Sequence, residues 1–554
     1  MLQRASRLIL CIALAPFTSE AQSLLGTEFQ VNMLTASDQH QPAVGRGSAG
    51  HFVVAWTSDY QDGEAGAIFA RTFAPDGSAV SAEVQINAFT SGDQSAPAVT
   101  VDSSGDAWIV WTSQDQDGDG DGIFGRRLSS SGLFLSAEMQ LNTITAGDQS
   151  RPAITGQNSG NFTVSWQDNY GGSSEIQSRR FLADGTPAAA EVLVNTTLTN
   201  DQTAPDLAIN EAGRFVVSWE SFGQDASGQS IQARRQSPPA PQAQVNLFTI
   251  GDQELPAVGI DAASNAVIAW QSSGQDGSST SVHARKINSD GMPTGAEIQV
   301  NSTSAGMQGV PDIVVSATCV ASIAFQSENV DGSATAVQLR EYDANLIPFA
   351  APLRVNSFTP LAQEQPAIAS DGGSNLVIVW QSDGQDGDGL GIFGRRAQSA
   401  VTTTTTTTST TTVTTSSTTT TSSSTTTTLP PIPAPELMVV TNAAVYQPAD
   451  YFQLDVCVND HGQRLDLYVG ILFPNGFTFV TFSGRNTIYA PNQVGAFENE
   501  LFAGIFCVNI AQFNLPPAPF GTYVVCAWLV TPGADPTHFG NIVALDCRSF
   551  LIQP

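Results

Sequence analysis

Four carboxylates stand at every second position of one segment, Asp115-Gln-Asp117-Gly-Asp119-Gly-Asp121-Gly122, with glycines between them that permit tight turning. Hard oxygen ligands at this spacing suit calcium and match the first half of an EF-hand loop, although the later bidentate glutamate of such a loop is absent. Asp383-Gly-Gln-Asp386-Gly-Asp388-Gly389 repeats the pattern with fewer carboxylates, and Asp59 with Asp62 repeats it more weakly. In other copies it decays to Asp168-Asn169, Gln224-Asp225 or Gln275-Asp276-Gly277. An obligatory metal site would not survive in some copies only. The calcium reading therefore falls on Asp115, Asp117, Asp119 and Asp121, and on Asp383, Asp386 and Asp388, with solvated hairpin turns as the competing reading.

A second polar set is more regular: Asp38-Gln39, Asp93-Gln94, Asp148-Gln149, Asp201-Gln202 and Asp252-Gln253. These residues form a candidate ligand face. The glutamine, however, also recurs at Gln308 and Gln363, and a side chain present in every copy is better explained as bonding backbone where the chain crosses between units. Signatures of catalysis are missing. His40, His51, His283, His461 and His538 lack metal-ligand spacing, and no Gly-x-Ser-x-Gly elbow or phosphate-binding glycine loop occurs. Asp102-Ser-Ser-Gly-Asp-Ala-Trp108 departs at its first position from the Ser-x-Asp-x-Gly-x-x-Trp box of sialidase-type propellers. A glycosidase carboxylate pair remains compatible with the acidic loops, since its two members meet in space rather than in sequence.

The elements that would carry these residues repeat. Asn32, Asn87, Asn142, Asn195, Asn246, Asn301 and Asn356 are spaced by 55, 55, 53, 51, 55 and 55 residues, and Trp56, Trp111, Trp166, Trp219, Trp270, Phe325 and Trp380 follow the same spacings. A proline column (Pro42, Pro97, Pro152, Pro205, Pro256, Pro311, Pro366) shares the register, three residues after each glutamine. Arg71, Arg126, Arg234, Arg285, Arg340 and Arg395 lie fifteen residues after the aromatic position, as a repeated ion pair or hydrogen bond would. Each unit contains four short β signals, as in Glu83–Asn87, Pro97–Val101, Ala107–Trp111 and Ile123–Leu128, with Ser-Gly and Asp-Gly turns between them. Seven such units of about 53 residues over residues 24–398 predict a seven-bladed β-propeller. No atypical capping repeat marks either end, which argues against a solenoid.

The small-residue Pro-Ala-Val strand suits the crowded axis. It is followed outward by the Trp strand, the Arg-Arg strand and the Glu-x-Gln-x-Asn strand. Glu28–Asn32 is then an orphan outer strand, and the seventh unit ends at Ile392–Arg396 without one, so residues 28–32 are expected to pair with 392–396 and close the ring. In that geometry the Asp-Gln segments and the acidic loops open on one face.

Residues 1–21 carry Arg4, Arg7, an apolar run from Leu8 to Phe17 and a small residue at Ala21, and they read as a secretory signal too short to span a bilayer. Residues 399–435 are a Thr/Ser/Pro-rich linker, disordered by composition and open to O-glycosylation. Residues 436–554 return to alternating apolar patterns and predict a small β-sandwich. Its Cys457, Cys507, Cys526 and Cys547 predict two disulfides, with three pairings open. Cys319, left over in the sixth unit, reads as a buried core residue.

A net charge of −30 with a single lysine, Lys286, excludes nucleic-acid binding, which needs clustered basic side chains, and disfavours anionic membrane surfaces. The unit typified by Asp383–Arg396 together with Glu83–Asn87 resembles repeats of large exported bacterial proteins. That resemblance implies a propeller-like fold and an extracellular or cell-surface location, and implies no activity. The Thr-rich spacer resembles linkers of secreted bacterial modular proteins, and the C-terminal module resembles immunoglobulin-like sandwiches in pattern. The leading expectation is an all-β, monomeric, secreted or surface protein. It would bind an extracellular glycan or protein without catalysis, through an acidic and calcium-binding propeller face. A secreted carbohydrate-active hydrolase is the alternative, and a purely structural surface spacer the third.

Overall fold

A computed structural model describes residues 22–400 in full, apart from 170 and 318, and describes residues 18–20, 401–403 and the strands between 436 and 552 by backbone alone. Residues 1–17 and 21 of the signal segment and residues 404–435 of the linker lie outside the described residues. The chain divides into two units, residues 1–410 and 411–554.

The first unit is a seven-bladed propeller, and its described residues form strands and no helix. In the second blade Gln94–Val101 is innermost and pairs with Ala107–Gln114, which pairs with Asp121–Leu128, which pairs with the short outer strand Met139–Gln140. Blades one and three to six repeat this antiparallel order. The seventh is assembled from both ends of the unit: Gln363–Ser370, Asn375–Asp383 and Leu390–Gln398 receive Ser23–Gln30 as their fourth strand, with Phe29 opposite Gly394 and Gln30 opposite Phe393.

Alternation along each strand sends one set of side chains toward the blade before and the other toward the blade after. Hydrophobic clusters accordingly sit between blades. Trp56, Val54 and Phe52 of the first blade pack with Val377, Val379 and Ile392 of the seventh, and Trp380 packs against Val337, Leu339 and Ala324 of the sixth. All six tryptophans of the column are fully buried.

Three constant polar residues hold this arrangement. The Asn of each outer strand accepts from a third-strand amide through Oδ1, as Asn142 does from Ile123 at 3.0 Å and Asn32 from Ile392 at 2.9 Å. Its Nδ2 donates to a backbone carbonyl two residues on and, in six blades, to the column glutamine. The third blade differs, where Asn195 donates to Glu175 and Trp219 of the next blade donates to Gln202 instead. Column arginines donate Nη1 to a carbonyl of the preceding outer strand: Arg71 to Val31, Arg126 to Ile86, and Arg395 to Val355. Arg179, shifted in spacing, does the same to Leu141. These are interblade hydrogen bonds to neutral acceptors.

Asn142→Ala would leave the Ile123 amide and the Gln149 carbonyl oxygen buried without partners, at about 1–3 kcal/mol each. A loss of about 3 kcal/mol in denaturant unfolding is the expected result, and a loss below about 1 kcal/mol would contradict this account.

In the second unit, backbone pairing gives a three-stranded sheet (Glu436–Thr441, Tyr451–Asn459, Ile505–Asn514) and a larger sheet containing Leu465–Leu472, Gly521–Val530 and Ile542–Ile552.

Candidate functional site

One face of the ring gathers the starts of the innermost strands and the loops joining the second and third strands. The column glutamines lie here but are fully buried. Gln39, Gln94, Gln149, Gln202 and Gln253 turn Nε2 onto carbonyls two and three residues earlier. The accompanying aspartates clip the preceding blade. Asp38 accepts from Leu390 N, Asp93 from Gly66 N, Asp148 from Asp121 N, Asp201 from Ser174 N and Asp252 from Gln229 N, at 2.9–3.2 Å. Both members of each pair therefore serve the crossover between blades.

The acidic loops are also engaged. Asp117 Oδ2 accepts from Gln140 and Asn142, and Asp386 Oδ2 accepts from Asn32 at 2.9 Å. Asp62, Asp225, Asp276 and Asp331 accept from their own outer-strand asparagines in the same way. Asp119 accepts from Gly147 N and Asp388 from Ser37 N. Asp115 adopts a left-handed φ of 57° and its amide donates to Gly120 O. Burial raises the Asp121 carboxyl above its ordinary range, helped by the charges of Asp148, Asp93, Asp115 and Asp117. Asp383 ends the second strand, its amide donating to Ala362 O. Among the described residues no three His, Cys, Asp or Glu side chains converge as a metal centre.

Asp117→Ala should destabilise the propeller by about 1–2 kcal/mol equally in chelator and in millimolar calcium, because the lost partners are Gln140 and Asn142. Thermal unfolding in both conditions checks this. A calcium-dependent rise in Tm that vanishes on replacing Asp119 or Asp121 would instead establish the metal reading.

The channel mouth has a different character. Each innermost strand carries a register shift just after its glutamine, where the residue before proline adopts a left-handed φ: 52° at Gln41, 51° at Ala96, 52° at Arg151, 47° at Ala204, 52° at Leu255, 47° at Val310 and 50° at Gln365. Such backbone costs roughly 1–2 kcal/mol for a non-glycine residue. It is stabilised by an acceptor from a neighbouring blade, as when Gln381 Oε1 receives the Gln41 amide, Thr112 Oγ1 the Arg151 amide and Glu220 Oε1 the Leu255 amide at 2.7 Å. The bulge makes the innermost strands begin the rim with positions that vary in chemistry: His40, Ser95, Ser150, Thr203, Glu254, Gly309 and Glu364. His40 faces Asp59 at 3.1 Å.

Acids break the repeat most at the seam between blades four and five. Glu220 stands where other blades have Thr or Gln, and Glu254 where others have mostly small or neutral residues. Glu220 is buried, with Oε2 taking Thr203 Oγ1 at 3.0 Å. Glu254 is half-buried, and burial, then the charges of Glu220 and Asp252, push its carboxyl up.

Below the rim runs a cavity of about 510 Å3, lined by small apolar residues such as Ala98, Val99, Ala153 and Val258. Asp206 and Asp312 replace the alanine that follows the column proline in the other five blades and line this cavity. Asp206 Oδ2 accepts from Val258 N of the fifth blade and Asp312 Oδ2 from Ile368 N of the seventh, both at 2.7 Å. Burial, joined by the charge of Asp312, pushes Asp206 up to about 7. Burial pushes Asp312 up to about 6.

No family model and no curated protein matches the chain. Among solved structures it is similar to a protein of unknown function from Dyadobacter fermentans, with 10% identity, a TM-score of 0.43, and coverage of 67% of this chain and 98% of that one. It is also similar to an ulvan lyase of a new polysaccharide lyase family (10% identity, TM-score 0.42, 69% and 96%). A third is an α-L-arabinanase of Penicillium chrysogenum complexed with arabinobiose (12% identity, TM-score 0.38, 68% and 98%). Two of these three neighbours are carbohydrate-active enzymes. At such scores the likenesses say nothing of this chain's activity, and the fold rests on its own strand pairing. Among the described residues no helix is long and apolar enough to cross a membrane.

Proposed function

We propose that the propeller is a secreted carbohydrate-active protein working at the mouth of its channel, where Glu254 delivers a proton to a glycosidic oxygen. The supporting observation is the environment of Glu254, whose carboxyl holds its proton more firmly than an ordinary glutamate because of burial and of Glu220 and Asp252 beside it. A general acid at near-neutral pH needs that property. Glu364, at the same rim position two blades on, is the candidate for the second carboxylate such chemistry requires. Export by the N-terminal segment, tethering through the Thr/Ser linker and a glycan ligand belong to the same proposal.

The test is a hydrolase panel and a glycan array run on the full chain and on Glu254→Gln. Turnover should fall by about 10²- to 10⁴-fold in the variant, with glycan retention preserved. One observation favours a second reading, binding without turnover: Glu220, the carboxylate beside Glu254, has both oxygens engaged. Glycan retention with no hydrolysis across the panel would select that reading, and neither retention nor hydrolysis would reject both.

A further inference from the structure

We infer that the C-terminal unit is cross-linked as Cys457–Cys507 and Cys526–Cys547. Four cysteines allow three pairings, and the backbone register distinguishes them. Tyr451–Asn459 runs antiparallel to Ile505–Asn514, with Asp455 opposite Asn509, Val456 opposite Val508 and Cys457 opposite Cys507. Gly521–Val530 runs antiparallel to Ile542–Ile552, with Val525 opposite Arg548, Cys526 opposite Cys547 and Ala527 opposite Asp546. Each ladder has one register irregularity, between Leu454 and Asp455 in the first and between Leu529 and Val530 in the second, and neither falls between a cysteine and its immediate neighbours.

Residues directly opposite in an antiparallel ladder have Cα atoms about 4.5–5.5 Å apart, inside the roughly 4.4–6.8 Å that a disulfide spans. Opposite positions also share a face of the sheet, because side chains alternate with a period of about two. A slip of one residue in either ladder would remove the match, yet both ladders set cysteine against cysteine. The two remaining pairings would each join a strand of the three-stranded sheet to a strand of the larger one.

Each cross-link forms when two thiols lose two protons and two electrons in all. An external small-molecule disulfide accepts them by exchange and leaves as two thiols. This pairing does not depend on the proposed action on carbohydrate, and its test is separate.

The full chain, refolded in a buffer of oxidised and reduced glutathione, is blocked with N-ethylmaleimide, digested at acidic pH without reduction and mapped by mass spectrometry. Two cross-linked species are expected, one containing Cys457 with Cys507 and one containing Cys526 with Cys547. Crossed peptides, a link from any of the four to Cys319, or maleimide on all four would overturn the assignment. Cys457→Ser gives an independent reading: it should release Cys507 alone to maleimide, and release of Cys526 or Cys547 would equally overturn it.

Discussion

Moving the protein from about pH 5 to about pH 8 should lower the stability of the propeller by ~3 kcal/mol, and Asp206→Asn should remove most of that loss. Asp206 and Asp312 are held up to about 7 and about 6 by burial, with Asp312's charge adding to Asp206. In the unfolded chain an aspartate loses its proton near pH 4. Between there and the folded values the native state therefore holds more protons than the unfolded state, so stability is full on the acid side and falls as pH rises through about 6 and about 7. Displacement to about 7 corresponds to ~4 kcal/mol for Asp206 alone if nothing screened it. Both side chains keep some surface toward the channel, and water there reduces the penalty, so ~2–3 kcal/mol is the better expectation.

Asn in place of Asp keeps an oxygen for the Val258 amide and removes the charge. Asp206→Asn should thus match the parent near pH 5 and exceed it near pH 8, with Asp312→Asn acting the same way more weakly. Denaturant unfolding across that range is the measurement. A parent protein that gains stability toward alkali, with the variant tracking it, would show that the channel carboxylates are not the cause.

Removing residues 22–32 should lower Tm by on the order of 10 °C or leave the chain aggregated. This segment supplies the fourth strand of the seventh blade. It also supplies Val31, fully buried between blades seven and one, whose burial alone is worth about 1.5–3 kcal/mol. Asn32 leaves with it, and with Asn32 go the bond from Ile392 N and the bonds to Gln39 and Asp386. Glu28 accepts from the Ser357 amide and Gly26 O from Arg395, so the sixth and seventh blades lose partners as well. A synthetic peptide of residues 22–32 added to the truncated protein should restore much of the loss. Melting within a degree or two of the full chain would mean that the ring does not depend on this strand.

The columns of Asn, Trp, Pro and Gln made the strand order and the blade number readable, because each residue type answers a need that recurs in every blade: an amide to bind, a seam to fill, a bulge to set. The acidic loops were harder. Alternating carboxylates satisfy a cation and a set of amide donors equally well on paper, and spacing alone does not separate the two. Asp62, Asp117, Asp276 and Asp331 each lie 25 residues before an asparagine of the column and accept a hydrogen bond from it. A carboxylate locked to the framework period is more simply a framework acceptor. Asp206, Asp312 and Glu220 were visible only as departures from columns otherwise filled by Ala, or by Thr and Gln, and Glu254 stands in a column that varies from blade to blade. Nothing in the linear sequence shows that the residue after the column proline borders the channel, or that the bulge before it places the preceding positions on the rim.

Closure of the seventh blade by Ser23–Gln30 imposes an order in time. Asn32 and its partner Ile392 are 360 residues apart, so at about 5–20 residues per second a ribosome delivers the second roughly 20–70 s after the first. Throughout that interval the earliest strand has no mate, and the growing ring shows two unpaired blade flanks to its surroundings. A cell making this protein must keep the chain from premature association until its last blade is complete.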